Sequence, residues 1–166
     1  MSTPLVPADS SALVSTLARD WAVQVDTSSN GTPSWVFVYG LSTVNPTTDL
    51  TMQDDGDINA DGRKSQIATA IGENLELQGL RKGTLAGETL TPDPGQEFLR
   101  AKGRKIGYEN ISHVRFWRLD DLSDAYEGHF ATNWTDTGGD KEGLQAFTCT
   151  LTGRGKMTSI TKPTAP

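Results

Sequence analysis

A period-two alternation of apolar and polar residues recurs along this chain and restricts it to a β-rich fold. In DWAVQVDT, residues 20–27, Trp21, Val23 and Val25 alternate with polar neighbours. Successive side chains of a strand point to opposite faces of a sheet, so this alternation predicts strands with one buried face. Further strand-like runs lie at 35–41, 74–81, 111–120, 125–134 and 144–155. The 17 glycines and the frequent threonines also favour strands and turns over helices.

One segment breaks the alternation and predicts a helix. In DPGQEFLRAKGRK, residues 93–105, Asp93 suits the N-cap and Pro94 the first helical position, and Gln96 stands three residues after the cap. Basic residues gather near the C-terminal end, where the helix dipole favours cations. We therefore interpret them as a solvated helix face rather than as a phosphate contact.

Chain length and pattern together predict one domain over residues 1–166. This length allows one domain with a real core and is too short to expect two. We expect a mainly β fold, an antiparallel β-sandwich or partly closed barrel, with one flanking α-helix. Around this body we expect an N-terminal arm at 1–16, a long polar loop at 42–66 and a loose C-terminal tail at 157–166. A loop of that length is usually functional or ordered by a partner.

Charge and cysteine content exclude several classes of function. A net charge of −6 argues against a protein that grips nucleic acid tightly. The single cysteine, Cys149, rules out an intramolecular disulfide and a cysteine zinc site. The first residues, MSTPLVPADSS, have no basic start and no long apolar run, so we expect no signal peptide and no membrane span.

The stretch DGDINADGR, residues 55–63, begins like a calcium-binding loop. Counted from Asp57, carboxylate or amide side chains stand at positions 1, 3 and 5, and a glycine stands at position 6. Such a loop needs a bidentate glutamate at position 12, which here is Ala68. We therefore favour a polar turn without a metal, and weak cation binding assisted by a partner is the alternative.

No sequence signature organises catalysis. Neither G-x-S-x-G nor H-E-x-x-H occurs, and GRGKMT at 153–158 lacks the Ser or Thr that follows the lysine of a phosphate loop. His113 and His129 lie within strand-like runs and have no third metal ligand at a suggestive spacing. We predict no catalytic residue, no metal site and no cofactor, and hence a protein that is not an enzyme.

Four segments, in this order and spacing, resemble the major tail tube protein of long-tailed bacteriophages, especially phages of actinobacteria. They are LARDWAVQVDT…WVFVYGL, the stretch DDGDINADGRKSQIATAIG, the helix entry DPGQEFLRA and the closing YEGHFATNWTDTGGDKEGLQAFTCTLTGRGK. The resemblance runs from about Leu17 to Lys156.

This resemblance implies a subunit of which six copies form a ring by joining sheets edge to edge, with rings stacked into a hollow tube. The protein would assemble in the host cytoplasm, belong to the virion tail, and contact the tape measure, terminator and distal tail proteins but no membrane. By position, the long loop would contact neighbouring subunits. Its expected inter-subunit residues are Thr47, Asp49, Met52, Asp54, Asp55, Asp57, Asn59 and Asp61.

The same resemblance implies a bore through which DNA passes transiently and without sequence-specific contacts. The acidic balance suits this, because a negative wall repels phosphates. We expect the acids that face the bore to include Glu73, Glu76 and Glu127, which lie on strand-like segments.

Two other functions fit the residues. A β-sandwich binding module would use exposed Trp35, Trp117 or Trp134 to bind carbohydrate and the 54–62 loop to bind calcium. A tail terminator or other connector of related fold would form a single ring and stop.

Overall fold

Residues 4–165 are described by a computed structural model, in which ten strands and one α-helix form. The strands are β1 (Trp21–Asp26), β2 (Trp35–Phe37), β3 (Leu41–Asp54), β4 (Gln66–Leu80), β5 (Gly83–Ala86), β6 (Thr89–Pro92), β7 (Ile111–Arg118), β8 (Ala125–Thr137), β9 (Ala146–Gly153) and β10 (Thr158–Ser159). The helix α1 spans Pro94–Lys102, and a short 3-10 helix spans Gly107–Asn110. No helix in this part of the chain is long and apolar enough to cross a membrane.

The main sheet is antiparallel and strongly curled. Its order is β2-β1-β7-β8-β9-β4-β3, with β10 paired to β8, while β5 and β6 form a separate hairpin. The two edge strands, β2 and β3, are consecutive in the chain and only residues 38–40 separate them. Four Cα steps span at most about 14 Å, so the sheet must curl until its edges almost meet. No ladder joins β2 to β3 in the described residues, and the sheet is not closed into a barrel. The predicted antiparallel β fold with one helix is confirmed.

The core fills the inside of this curled sheet. Alternation places one face of β1, β7, β8, β9 and the inner half of β4 inward, as the sequence pattern predicts, and Leu99 of α1 packs into the same cluster. Cys149 is one of its members, and burial raises the pKa of its thiol to about 12. The buried cluster is Val23, Val25, Val38, Leu75, Leu77, Leu99, Val114, Phe116, Phe130, Phe147, Cys149 and Leu151.

The predicted helix forms, and it ends three residues early. The Asp93 side chain accepts a hydrogen bond from the Gln96 backbone N–H at 3.0 Å, which is the cap that the sequence predicts. The helix stops at Gly103, where an added Cβ would lie 2.9 Å from the Trp134 backbone nitrogen. The C-terminal end of the helix therefore packs directly against β8, and a larger residue than glycine would not fit there.

The prediction of a long loop at 42–66 was wrong for most of its length. Residues 42–54 belong to β3, which pairs with β4 from Leu41 to Asp54, and only 55–65 form a loop. The pattern misled because both faces of this hairpin are largely exposed toward its tip, so polar residues in it need not alternate with apolar ones. Pro46 is tolerated because β3 is an edge strand and need not donate from that position.

The C-terminal tail at 157–166 is more ordered than predicted. Thr158 and Ser159 form β10 against β8, and the Ile160 backbone N–H donates to the Ala125 carbonyl at 2.9 Å. Lys162 donates to the Asp120 carbonyl. The expected N-terminal arm has neither helix nor strand over 4–16, and residues 1–3 and 166 of the two predicted terminal segments lie outside the described residues.

Candidate assembly surfaces

A hairpin arm projects from the body of the protein. We define the hairpin arm as residues 48–73, because β9 accompanies β4 only as far as the pair Asn74 and Thr152. Beyond that pair β3 and β4 continue as a two-stranded ribbon to Asp54 and Gln66. At a rise of about 3.3 Å per residue, the ribbon extends roughly 20 Å past the rest of the sheet.

One face of the hairpin arm continues the apolar face of the core. On β4, Ile71 has the same parity as the fully buried Leu75 and Leu77, and it lies opposite Leu50 of β3. Ile71 is 65% exposed and Leu50 is 56% exposed, and Met52 follows on the same face. A row of large apolar side chains outside the core is typical of a surface that binds another protein.

Seven of the eight residues predicted to lie between subunits fall on the hairpin arm, and Thr47 lies directly before it. Thr47, Asp49 and Met52 lie along β3 and Asp54 ends it, while Asp55, Asp57, Asn59 and Asp61 occupy the tip. Asp49 accepts a hydrogen bond from the Asn74 side chain at 2.6 Å, on the face opposite Leu50. Sequence reasoning missed Leu50 because residues 42–66 were interpreted as a loop, and it missed Ile71 because the predicted strand-like run began only at residue 74.

The tip is a pair of polar turns. The Asp57 carboxylate accepts the Asn59 backbone N–H at 2.9 Å, and the backbone of Asp61 and Gly62 adopts positive φ, which aspartate and glycine tolerate. No three His, Cys, Asp or Glu side chains within residues 4–165 are grouped so that they could hold a metal ion.

The three acids expected to face a bore do not share one face. Glu73 lies on the inward face of β4, where it accepts the Met157 backbone N–H at 2.7 Å. Glu76 lies on the outward face of the same strand, three residues further on, and Glu127 on the outward face of β8. The strands that carry Glu76 and Glu127 are both neighbours of β9.

The two histidines meet on the outward face of the sheet. His113 and His129 are directly paired between β7 and β8, and their rings stack at 4.4 Å. The His113 Nε2 lies 2.7 Å from Glu127, and its Nδ1 lies 3.3 Å from Asp26. Burial and the neighbouring His113 lower the pKa of His129. These contacts all lie within the fold, and both histidines belong to strands, as the sequence pattern predicted.

The tryptophans considered for carbohydrate binding are engaged within the fold. Trp117 is buried, Trp134 stacks on Phe147 at 4.3 Å, and Trp35 lies under the Arg115 guanidinium at 4.2 Å. Trp117 is therefore not exposed as the sequence-based alternative assumed, whereas Trp35 and Trp134 are partly buried and each already has at least one aromatic or cationic neighbour.

Neither a protein-family model nor a curated protein matches this chain. Solved structures with the same fold do match. A chain in the virion of the native gene transfer agent particle superposes with a TM-score of 0.67 at 11% identity, covering 88% of this chain and 99% of that one. The tail of the empty gene transfer agent particle, with C6 symmetry, gives 0.64 at 11% identity and the same coverage.

The SPP1 tail tube has the same fold. Its chain superposes with a TM-score of 0.55 at 15% identity, covering 88% of this chain and 80% of that one. Identities this low establish a shared fold, and they leave function to be argued from the surfaces described above.

Proposed function

We propose that this chain is a structural, non-catalytic subunit of a phage tail tube that forms hexameric rings, and that the rings stack into a conduit for DNA. The observation that carries the proposal is the hairpin arm, whose apolar face continues the core and has no cover in the described chain. The fold shared with chains of assembled tails, one of them with C6 symmetry, supports it. The proposal includes the finer resemblance to tubes of actinobacterial phages.

Self-assembly would use the two surfaces that an isolated copy leaves open. The sheet has unpaired edges at β2 and β3, and an exposed edge can pair with a strand of another chain. The hairpin arm reaches beyond the body and would lay Leu50, Met52 and Ile71 on a neighbouring subunit. Burying a large aliphatic side chain contributes about 1.5–3 kcal/mol, so three of them in six copies would stabilise a ring strongly.

The outward face of the sheet would line the bore. Glu76 and Glu127 lie on that face, and their charge would repel DNA phosphates. Glu73 points to the inward face and is left out of the proposed wall. Partners in the virion would be further copies of this chain and the tape measure, terminator and distal tail proteins.

Electron microscopy of the purified protein tests the proposal. We expect hollow tubes or six-fold rings from the wild type, and folded monomers from the double variant Leu50→Asp/Ile71→Asp. Circular dichroism should show an unchanged fold, since neither side chain belongs to the core. The matched control is Thr51→Asp/Ala70→Asp, which places two charges on the opposite face of the same ribbon and is expected to assemble.

Two results would change the conclusion. If the wild type and the Leu50→Asp/Ile71→Asp variant assemble equally well, the apolar face of the hairpin arm is not needed for assembly. Single rings that never stack, at any concentration, would favour a terminator or connector over a tube subunit.

A further inference from the structure

A shallow groove of about 320 Å³ lies beside the C-terminal end of α1. Its lining combines an apolar floor with charged rims: Phe98, Ala101, Lys102, Lys105 and Glu109. Ile106 and Tyr108, in the turn that follows the helix, are 90% and 82% exposed. We call this surface, with the adjacent Arg104, the basic groove.

Positive charge is concentrated here in a protein whose net charge is −6. Arg100 is paired with Asp136 at 3.1 Å, and Lys105 lies 3.8 Å from Glu109. Within residues 4–165, Lys102 and Arg104 have no carboxylate within 4 Å. The groove therefore offers two cations without a carboxylate partner, and one of them, Lys102, lies 5.4 Å from the centroid of the Phe98 ring.

The tip of the hairpin arm has the complementary composition. Asp54, Asp55, Asp57 and Asp61 flank Ile58, which is 99% exposed. These four carboxylates outnumber the two cations of the tip, Arg63 and Lys64, and within the described residues no cationic side chain lies within 4 Å of them. An apolar side chain surrounded by carboxylates matches an apolar groove with cationic rims, and such complementarity selects partners and speeds their encounter.

Within one chain the two surfaces are on different parts of the sheet. Helix α1 packs against β1, β2, β7 and β8, whereas the tip is carried by β3 and β4, roughly 20 Å past the last strand that supports them. A straight ribbon of that length reaches away from its own body, so a second copy is the partner that it can reach.

We propose that the acidic tip of the hairpin arm binds the basic groove of a neighbouring copy, with Ile58 in the groove and Asp57 and Asp61 facing Lys102 and Arg104. This inference rests on the proposed self-assembly and names its partner surface. The contact is electrostatic and partly exposed, so it weakens when salt shortens the Debye length below about 8 Å.

A charge swap tests the contact in the full-length protein. We expect Lys102→Glu/Arg104→Glu, and separately Asp57→Lys/Asp61→Lys, to raise the protein concentration needed for assembly by about tenfold at physiological salt. All four substitutions in one chain should restore most of the loss, because each tip then meets a groove of opposite sign. Lys141→Glu, an exposed cation in the loop before β9, is the control and should assemble like the wild type.

Cysteine crosslinking tests the same contact without requiring tubes. Cys149 is buried and carries an unreactive thiol, so Ile58→Cys/Ala101→Cys adds the two accessible thiols. Mild oxidation should link copies into dimers and longer chains on a non-reducing gel, and Ile58→Cys/Lys141→Cys should link far less.

The outcomes separate the two proposals. If the wild type makes tubes and neither the charge variants nor the crosslink behaves as expected, the tip binds elsewhere and only this inference fails. If the wild type makes no tubes and no crosslinks form, both proposals fail. If Lys102→Glu/Arg104→Glu instead releases duplex DNA from the protein and leaves assembly unchanged, the basic groove binds nucleic acid and the inference is overturned.

Discussion

Asp26 shows how one carboxylate secures the edge of the curled sheet. Its side chain accepts the backbone N–H groups of Ser28 at 2.9 Å and Ser34 at 2.8 Å, and these bonds close the turn between β1 and β2. Burial alone would raise the pKa of Asp26, but these hydrogen bonds and the one to His113 outweigh it and lower the pKa to about 2.

The sign of this shift predicts a pH dependence. The folded pKa is below the unfolded value, so the carboxylate stabilises the fold above about pH 4, and that contribution is lost as the pH falls through about 2. We expect Asp26→Asn to lower the free energy of unfolding by about 2 kcal/mol at pH 7, and the difference from wild type to vanish near pH 2.

Urea unfolding of both proteins between pH 2 and pH 7 measures this difference. The exposed Asp121→Asn is the control and should follow the wild type throughout. If the difference in the free energy of unfolding stays constant over the whole pH range, the ionisation of the Asp26 carboxylate does not contribute to stability.

At the residue scale, sequence reasoning predicted the Asp93 cap, because a cap depends on residues close in the chain. It did not predict the stacking of His113 on His129. Their contact depends on the register of β7 against β8, which residues 16 positions apart do not reveal.

Helix α1 is joined through Gln96 to the link between β2 and β3 and to the end of β4. The side chain of this fully buried residue accepts the Lys82 backbone N–H at 3.1 Å, and it donates to the carbonyls of Tyr39 at 2.6 Å and Leu80 at 3.0 Å. Tyr39 lies in the link from β2 to β3 and Leu80 ends β4, so one amide holds the link between the two edge strands against the end of β4.

Gln96→Ala should therefore destabilise the fold strongly. The change leaves one backbone donor and two carbonyls without partners in a buried place and opens a cavity, and we expect a loss of about 2–4 kcal/mol in the free energy of unfolding. Denaturant unfolding monitored by tryptophan fluorescence measures it. Gln53→Ala on the exposed hairpin should cost under about 0.5 kcal/mol, and equal losses in the two variants would contradict this role of Gln96.

At the element scale, the sequence predicted the strands that carry fully buried side chains, which are β1, β4, β7, β8 and β9. It failed for β3 and for the outer part of β4, where Thr and Asp line a ribbon that is exposed on both faces toward its tip. There the strands are held together mainly by backbone hydrogen bonds. Because such bonds form with any side chain, they produce no alternation of apolar and polar residues in the sequence.

For the whole molecule, the body is expected to fold without the hairpin arm. No residue of the arm belongs to the buried cluster, so replacing 49–72 by a short Asn-Gly turn between Thr48 and Glu73 removes no core contact. We expect a monomer whose melting temperature is within a few degrees of the wild type and which forms no tubes at any concentration. Calorimetry and analytical ultracentrifugation measure the two properties, and tubes made by the deletion variant would show that the sheet edges suffice.

The sequence by itself determined the class of fold, the single helix and the inward faces of β1, β7, β8, β9 and the inner half of β4. These follow from alternation and capping, which act between residues close in the chain. Only the tertiary structure decided that β2 and β3 approach each other across an open seam, that Glu73 and Glu76 face opposite sides, and that Leu50 and Ile71 continue the core face beyond the core. These features depend on the order and register of strands distant in the chain, and register is set by the packing of the whole sheet.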